Sequence, residues 1–440
     1  MNQLSRRSFM IALVAAMAAS CGSDSGLLNP DPSAPTTLPP SSDPDIVQIS
    51  DLDGSFERVA GDMSPEALAS AVAGDRQLAS ALYTKLSGAQ EGNMVFSPFS
   101  IATAFSMVTA GAAGATRSEL EDALGAGPGW DAARNGLDQK VQTPSQLPEG
   151  ATPLELDIVT TPYGQAGFEF ETEYVRTLAE NYGAIMRLLD FMANPDAARN
   201  AINSDVETAT RGRITDLLPQ GTITELARLV LVNTVFFKAV WVDEFQVDQT
   251  TTAPFTRLDR TTVDVPMMNG HSRTTFGEGE GWQSVRLGYW GGYSMMVIVP
   301  GEGRFSEIEA QLADGLLDEI SSIRNDHGVR IALPKFDFKT SADLTPLFNE
   351  LGVVEAFTPE ADFSGISSQA DLYISGAFHQ ATIEVDEVGT TATAATALVV
   401  SATSAPPPAE IRADRPFIFV IEHDETGEPL FIGRVVDPSA

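Results

Sequence analysis

Between Glu384 and Glu410 the chain reads EVDEVGTTATAATALVVSATSAPPPAE. Fifteen consecutive residues, Thr390 to Ser404, carry no charge and no proline, and Pro406 to Pro408 end the run. A surface linker tolerates Lys, Glu or Pro anywhere. Extended at ~3.3 Å per residue, Gly389 to Thr403 would reach about 50 Å, long for a strand of an ordinary domain. Side chains of a strand alternate. One face would carry Thr390, Ala392, Ala394, Thr396, Leu398 and Val400. The other would carry Thr391, Thr393, Ala395, Ala397, Val399 and Ser401. Both faces are uncharged, and every backbone N–H is free to pair. Such a segment is a strand, a flexible linker, or a stretch built to be each at different times.

The rest of the chain narrows the function by exclusion. Its net charge is −33, and only five of its 440 residues are lysine. Nucleic-acid backbones need clustered cations, so no nucleic-acid partner is expected. Cys21 is the single cysteine, so neither an intrachain disulfide nor a thiolate metal cluster can form. The four histidines, His271, His327, His379 and His423, form no HExxH pair. GxSxG, SxxK and GxxxxGK are also missing. We expect no enzyme, no cofactor and no metal.

The N-terminus reads as an address. Residues 1–20 contain Arg6-Arg7 and an apolar run, Phe9 to Ala19, about half the length a membrane span needs. SRRSF resembles the twin-arginine export motif. AASC resembles a lipobox, which implies lipidation of Cys21 and, with Gly22 next, the outer membrane or cell surface. Residues 21–61 are rich in Ser, Pro, Asp and Gly for much of their length, and read as a disordered spacer behind the lipid anchor. The expected protein is exported and held to the cell envelope.

From Asp62 onward the pattern is globular. Ser64-Pro65 reads as a helix cap and first turn, followed by Leu78, Leu82 and Leu86 on one face. SPFSIATAFSMVTAG reads as a second capped helix, deeply buried. Ser306 and Glu309 have capping-box spacing. LVLVNTVFF, YSMMVIVP, VRIALPKFDF and PFIFVIEHDETGEPLFIGRVV read as strands, the last as a hairpin. Helices and strands mix without βα alternation, so the class is α+β in one large domain, 62–440.

These segments, in this order, resemble the serpins. NMVFSPFSIATAFSMVTAGAAGATRSELEDAL, RGRITDLLPQGTITELARLVLVNTVFFKAVWVDEF, LGVVEAFTPEADFSGIS, LYISGAFHQATIEVDEVGTTATAAT and DRPFIFVIEHDETGEPLFIGRVVDP carry the resemblance over Asp62 to Pro438. It implies three β-sheets with surrounding helices and an exposed reactive loop, about 389–410. Gly125 to Gly164 is the poorest match. At its end, TTPYGQ puts Pro162 where a strand is expected, which predicts a bulge or a local departure there.

The resemblance also implies a mechanism and its residues. A serine (or cysteine) endopeptidase cuts the loop, and the loop then inserts into the central sheet and traps the acyl-enzyme. Counting from Gly389 places the cut between Thr403 and Ser404; counting back from DRPF lands nearer Ala405, and Ala402 stays open. A small residue there suits an elastase-like or subtilisin-like pocket. Glu387, Gly389, Thr390, Thr391, Ala392, Ala394 and Ala395 correspond to the hinge. Ser97, Ser100, Asn233 and His379 correspond to the shutter under the sheet. Lys335, Glu387 and Trp241 correspond to the breach at its top. A monomer is expected. The rival readings are a non-inhibitory serpin, against which the small, uncharged hinge argues, and a lipid-anchored serine hydrolase, which lacks its motifs.

Overall fold

Two Ser-Pro pairs start the helices that organise the core. A computed structural model of the chain describes residues 49–52, 56–145, 147, 154–368, 372–390 and 408–440. Helix α1, Pro65–Ala89, is capped by Ser64, whose hydroxyl accepts the Ala67 N–H at 3.3 Å. It buries Leu78, Leu82 and Leu86 as the spacing predicts. Helix α2, Pro98–Thr109, is capped by Ser97, and all its twelve residues are buried. A helix buried all round must satisfy its own polar groups. Thr103, Ser106 and Thr109 do so by donating to the carbonyls of Phe99, Ala102 and Phe105 at 2.7–2.9 Å, one turn back.

The described strands are β1 (Ser50–Leu52), β2 (Met94–Phe96), β3 (Glu155–Gln165), β4 (Met186–Leu189), β5 (Leu229–Val240), β6 (Thr251–Thr256), β7 (Thr262–Gly279), β8 (Trp282–Tyr289), β9 (Tyr293–Pro300), β10 (Asp326–Pro334), β11 (Phe336–Asp343), β12 (Ile374–Val385), β13 (Gly389–Thr390), β14 (Ala409–Arg412), β15 (Phe417–His423) and β16 (Glu428–Val435). The first sheet runs β1-β4-β3-β5-β13-β12-β11. A second network runs β14-β10-β7-β8-β9-β15-β16-β2, with β6 on β7. Long β7 joins two sheets in that network. Its first part pairs with β6 and β10, its last four residues with β8. Three sheets therefore result, as expected. The main core fills the space between the first sheet, α1, α2 and the second network. A smaller core lies on the other face of the first sheet, under helix Pro195–Ala209 and the chain that follows it.

Four expectations need correction. Pro162 makes no bulge, because β3 pairs with β5 in unbroken register from Glu155↔Lys238 to Gly164↔Leu229. The Gln165 N–H donates to Arg228 O on the β5 side, and alternation then turns position 162 the other way. There β4 pairs only from Tyr163 onward, so the missing N–H interrupts nothing. Ser306 is not a cap: helix Phe305–Gln311 starts after Arg304 without a side-chain cap. Glu309 instead accepts from Tyr83 and Arg434. VRIALPKFDF is two strands in different sheets, β10 and β11, crossing over at Lys335.

The fourth concerns boundaries. Packed structure begins upstream of Asp62: β1 pairs with β4, and Arg58 binds Asn135 and Asp138 at 2.9 and 2.5 Å. At the loop, Gly389 and Thr390 belong to β13. Ala409 and Glu410 belong to β14, which pairs in parallel with β10. The connection thus spans 391–408, shorter at both ends than the sequence suggests.

Candidate functional site

The site is a seam. Strands β5 and β12 pair directly and in parallel from Ile374↔Leu229 to Thr382↔Phe236. Above that, β13 lies between them. Gly389 and Thr390 face Val240 and Ala239 of β5, and Thr390 faces Val385 of β12. Two hinge residues therefore already occupy the gap. Only glycine fits at 389: a Cβ there would lie 2.0 Å from the Ala239 carbonyl oxygen. Thr390 is buried, and its hydroxyl bonds the Tyr289 hydroxyl at 2.8 Å. Asp386 forms the turn that feeds β13, accepting the N–H of Val388 and of Gly389 at 2.9 and 3.1 Å.

The breach residues surround this hinge. Lys335 Nζ donates to Glu387 Oε2 and the Thr250 hydroxyl to Oε1, each at 2.8 Å. Burial alone would raise the Glu387 pKa, but the hydrogen bonds from Lys335 and Thr250 outweigh it and hold the carboxyl below its usual range. Trp241 is buried, stacks on Tyr289 with ring centroids 4.2 Å apart, and donates its indole N–H to Asp386 O at 3.0 Å. The turn is thereby held from the ring below it.

Lower down, the shutter closes the seam. Asn233 of β5 and His379 of β12 are register partners, both fully buried over the start of α2. The Ser97 N–H donates to His379 Nε2 at 3.2 Å, so the proton sits on Nδ1 and is donated to Asn233 Oδ1 at 2.6 Å. Ser100 donates its hydroxyl to the same oxygen at 2.8 Å. The Asn233 amide donates to Ser100 O and to the Thr160 hydroxyl at 3.0 and 2.8 Å. Every polar group of the Asn233 side chain is used. Burial pushes the His379 imidazole down to about 3, so it is neutral.

The structure brings together Ser97, Ser100, Asn233 and His379, and separately Lys335, Glu387, Trp241, Gly389 and Thr390. Thr391, Ala392, Ala394, Ala395, Ala402, Thr403, Ser404, Ala405 and Cys21 lie outside the described residues. Sequence reading missed Tyr289, Thr250, Thr160 and Asp386. The first three come from distant strands and carry no local signal. Asp386, three residues before a glycine, could have been read as a turn former.

Known proteins share the sequence pattern and the fold. The family model described as serpin (serine protease inhibitor) matches residues 73–438. An uncharacterized serpin-like protein of Thermococcus kodakarensis is 36% identical, over 81% of this chain and 83% of its own. The leukocyte elastase inhibitor of Bos taurus is 33% identical, over 79% of this chain and 93% of its own. The native state of tengpin, a thermophilic serpin, superposes with a TM-score of 0.76 at 25% identity, covering 89% of this chain and all of that one. The chain belongs to the serpin family and has its α+β fold.

The neutral imidazole makes the shutter acid-sensitive. An unfolded histidine takes up a proton near pH 6.5, the folded His379 only near 3. Between those values the unfolded state binds the extra proton, so stability falls with falling pH, by up to ~1.4 kcal/mol per unit. Melting temperature measured from pH 7 to pH 4 should drop more steeply for wild type than for His379→Gln. Parallel profiles would mean that His379 is not held neutral.

Proposed function

We propose that the protein is a suicide-substrate inhibitor of an elastase-like or subtilisin-like serine endopeptidase. The observation that carries this reading is β13, whose Gly389 and Thr390 pair with β5 and whose Thr390 also pairs with β12. Continuing its register one for one assigns the rest of the segment. On insertion, Thr391 would fall beside Lys238 and Thr393 beside Phe236. Thr396 would fall opposite both Asn233 and His379, on the same inward side as Thr390. Its hydroxyl can donate to Asn233 Oδ1 and accept from His379 Nδ1, replacing the bond that strand separation breaks. Leu398 and Val400 follow on that face, and burying two such side chains contributes ~3–6 kcal/mol before ordering costs.

The chemistry belongs to the target. Its serine oxygen bonds to the Thr403 carbonyl carbon, the Thr403–Ser404 C–N bond breaks, and the Ser404 amine leaves with a proton from the protease's histidine. Water would normally hydrolyse the ester. Insertion of the freed segment carries the acylated protease along the sheet and distorts its site first. Thr403, preceded by Val399-Val400-Ser401-Ala402, suits a small apolar specificity pocket, and the leukocyte elastase inhibitor among the relatives supports that choice. We further propose export and lipidation at Cys21, with residues ahead of the packed domain as a tether to the cell envelope.

Two experiments check these readings. Thr390→Arg places a cation against Tyr289 in the core without a partner, so the hinge cannot stay in the sheet and the segment behind it cannot follow. Mixed with pancreatic elastase or subtilisin, wild type should give a detergent-stable covalent band. The variant should be cut at a similar rate but give at least about tenfold less covalent complex. Equal trapping by both proteins refutes insertion. For the anchor, Cys21→Ser should move the protein from the membrane fraction to the soluble fraction, whereas identical fractionation excludes lipidation there.

A further inference from the structure

The seam is covered from outside, and the cover is fastened at one end by charge. Helix Pro195–Ala209 ends in Thr210, and the chain turns back through Arg211 and Gly212, both left-handed at φ 55° and 79°. That backbone is unfavourable for an arginine, so contacts must hold it. Arg211 pairs with Glu155 and Asp157 of β3 at 3.0 and 3.1 Å. Arg213 pairs with the same two carboxylates at 2.7 and 3.1 Å, and lies 3.6 Å over the Phe236 ring of β5. Lys238 joins Glu155 at 3.3 Å. The hydrogen bond from Arg213, ahead of the others, keeps the Glu155 carboxyl below its usual range, although burial opposes it.

Beyond the clasp, the chain crosses the seam. Ile214, Leu217, Leu218 and Ile223 pack with Val230 and Val232 of β5, and Phe378 of β12 packs against the same cluster. Leu226 O accepts the Tyr373 hydroxyl, and the Arg228 N–H reaches Ser375 Oγ. In the register above, Ala397 would enter between Val232 and Phe378, directly beneath this cover. The cover must lift before the strand can pass, and its upstream end is pinned by the clasp.

We propose that the Arg211–Arg213 clasp on Glu155 and Asp157 limits the rate at which the seam admits a strand. This rests on the inhibitory reading for its biological meaning, not for its test. The clasp is partly solvated, Arg211 being 60% exposed, so salt weakens it. Small outward residues at Thr391 and Thr393 suit passage beside Lys238 and under Arg213.

The test uses the full chain and a synthetic peptide with the sequence Thr390–Thr403, whose uptake is followed by the rise in melting temperature. Arg211→Ala/Arg213→Ala should accept the peptide about tenfold faster than wild type, with Arg213→Lys in between. Wild-type uptake should accelerate from about 0.05 to about 0.5 M NaCl, and the double variant should respond less. Lys85→Ala, which removes the surface pair with Glu350, should behave as wild type. Equal or slower uptake by the double variant overturns the clasp, as does acceleration by Lys85→Ala to the same degree. Failure of both proteins to take up peptide overturns it too. The covalent protease band judges the inhibitory reading separately, since it can appear in wild type whichever way the clasp result falls.

Discussion

The whole structure depends on the parallel contact between β5 and β12 at the centre of the first sheet. β5 pairs antiparallel with β3, and β12 antiparallel with β11, yet β5 and β12 meet in parallel. Parallel pairing is slightly weaker per residue. A strand running from Gly389 downward is antiparallel to both. Its entry would exchange one parallel interface for two antiparallel ones and bury more apolar surface. On the proposed inhibitory reading, the intact fold is held by a barrier rather than by the best available pairing. Gly389 and Thr390 already lie in the gap that such a strand would fill.

The barrier has identifiable parts. At the top, Trp241, Tyr289 and the Lys335–Glu387 pair fix the hinge turn. In the middle, the neutral His379 and Asn233 close the seam over α2. Each polar atom of the His379 and Asn233 side chains has a partner, so parting the strands exposes unmet hydrogen bonds unless an incoming residue replaces them. A threonine at position 396 offers one hydroxyl that both donates and accepts. Outside, the chain after helix Pro195–Ala209 lies across the gap. A strand entering from the hinge would meet these contacts from top to bottom.

Much of this is readable in the residues themselves. Ser64-Pro65 and Ser97-Pro98 start helices because capping is local chemistry. The uncharged run after Gly389 shows alternating small faces for the same reason. Local reading failed where a partner strand decides. Pro162 looks disruptive alone, and only the short reach of β4 explains why it is tolerated. Ser306 and Glu309 have the right spacing, but Tyr83 and Arg434 claim the carboxylate. VRIALPKFDF looks like one strand because nothing local announces a change of sheet at Lys335. The shutter and breach were legible only through family resemblance, since Asn233 and His379 lie 146 positions apart and no spacing rule connects them. Thr160, Thr250 and Tyr289 carried no signal at all.

The central claim is that the intact chain is not in its most stable pairing. Limited cleavage in the loop by subtilisin, with both fragments retained, releases the segment from Thr390 onward without changing composition. Thermal unfolding of intact and cleaved protein at one scan rate then compares the two pairings directly. The account predicts that the cleaved protein melts far above the intact one. A cleaved protein that melts at the same temperature, or lower, would contradict it.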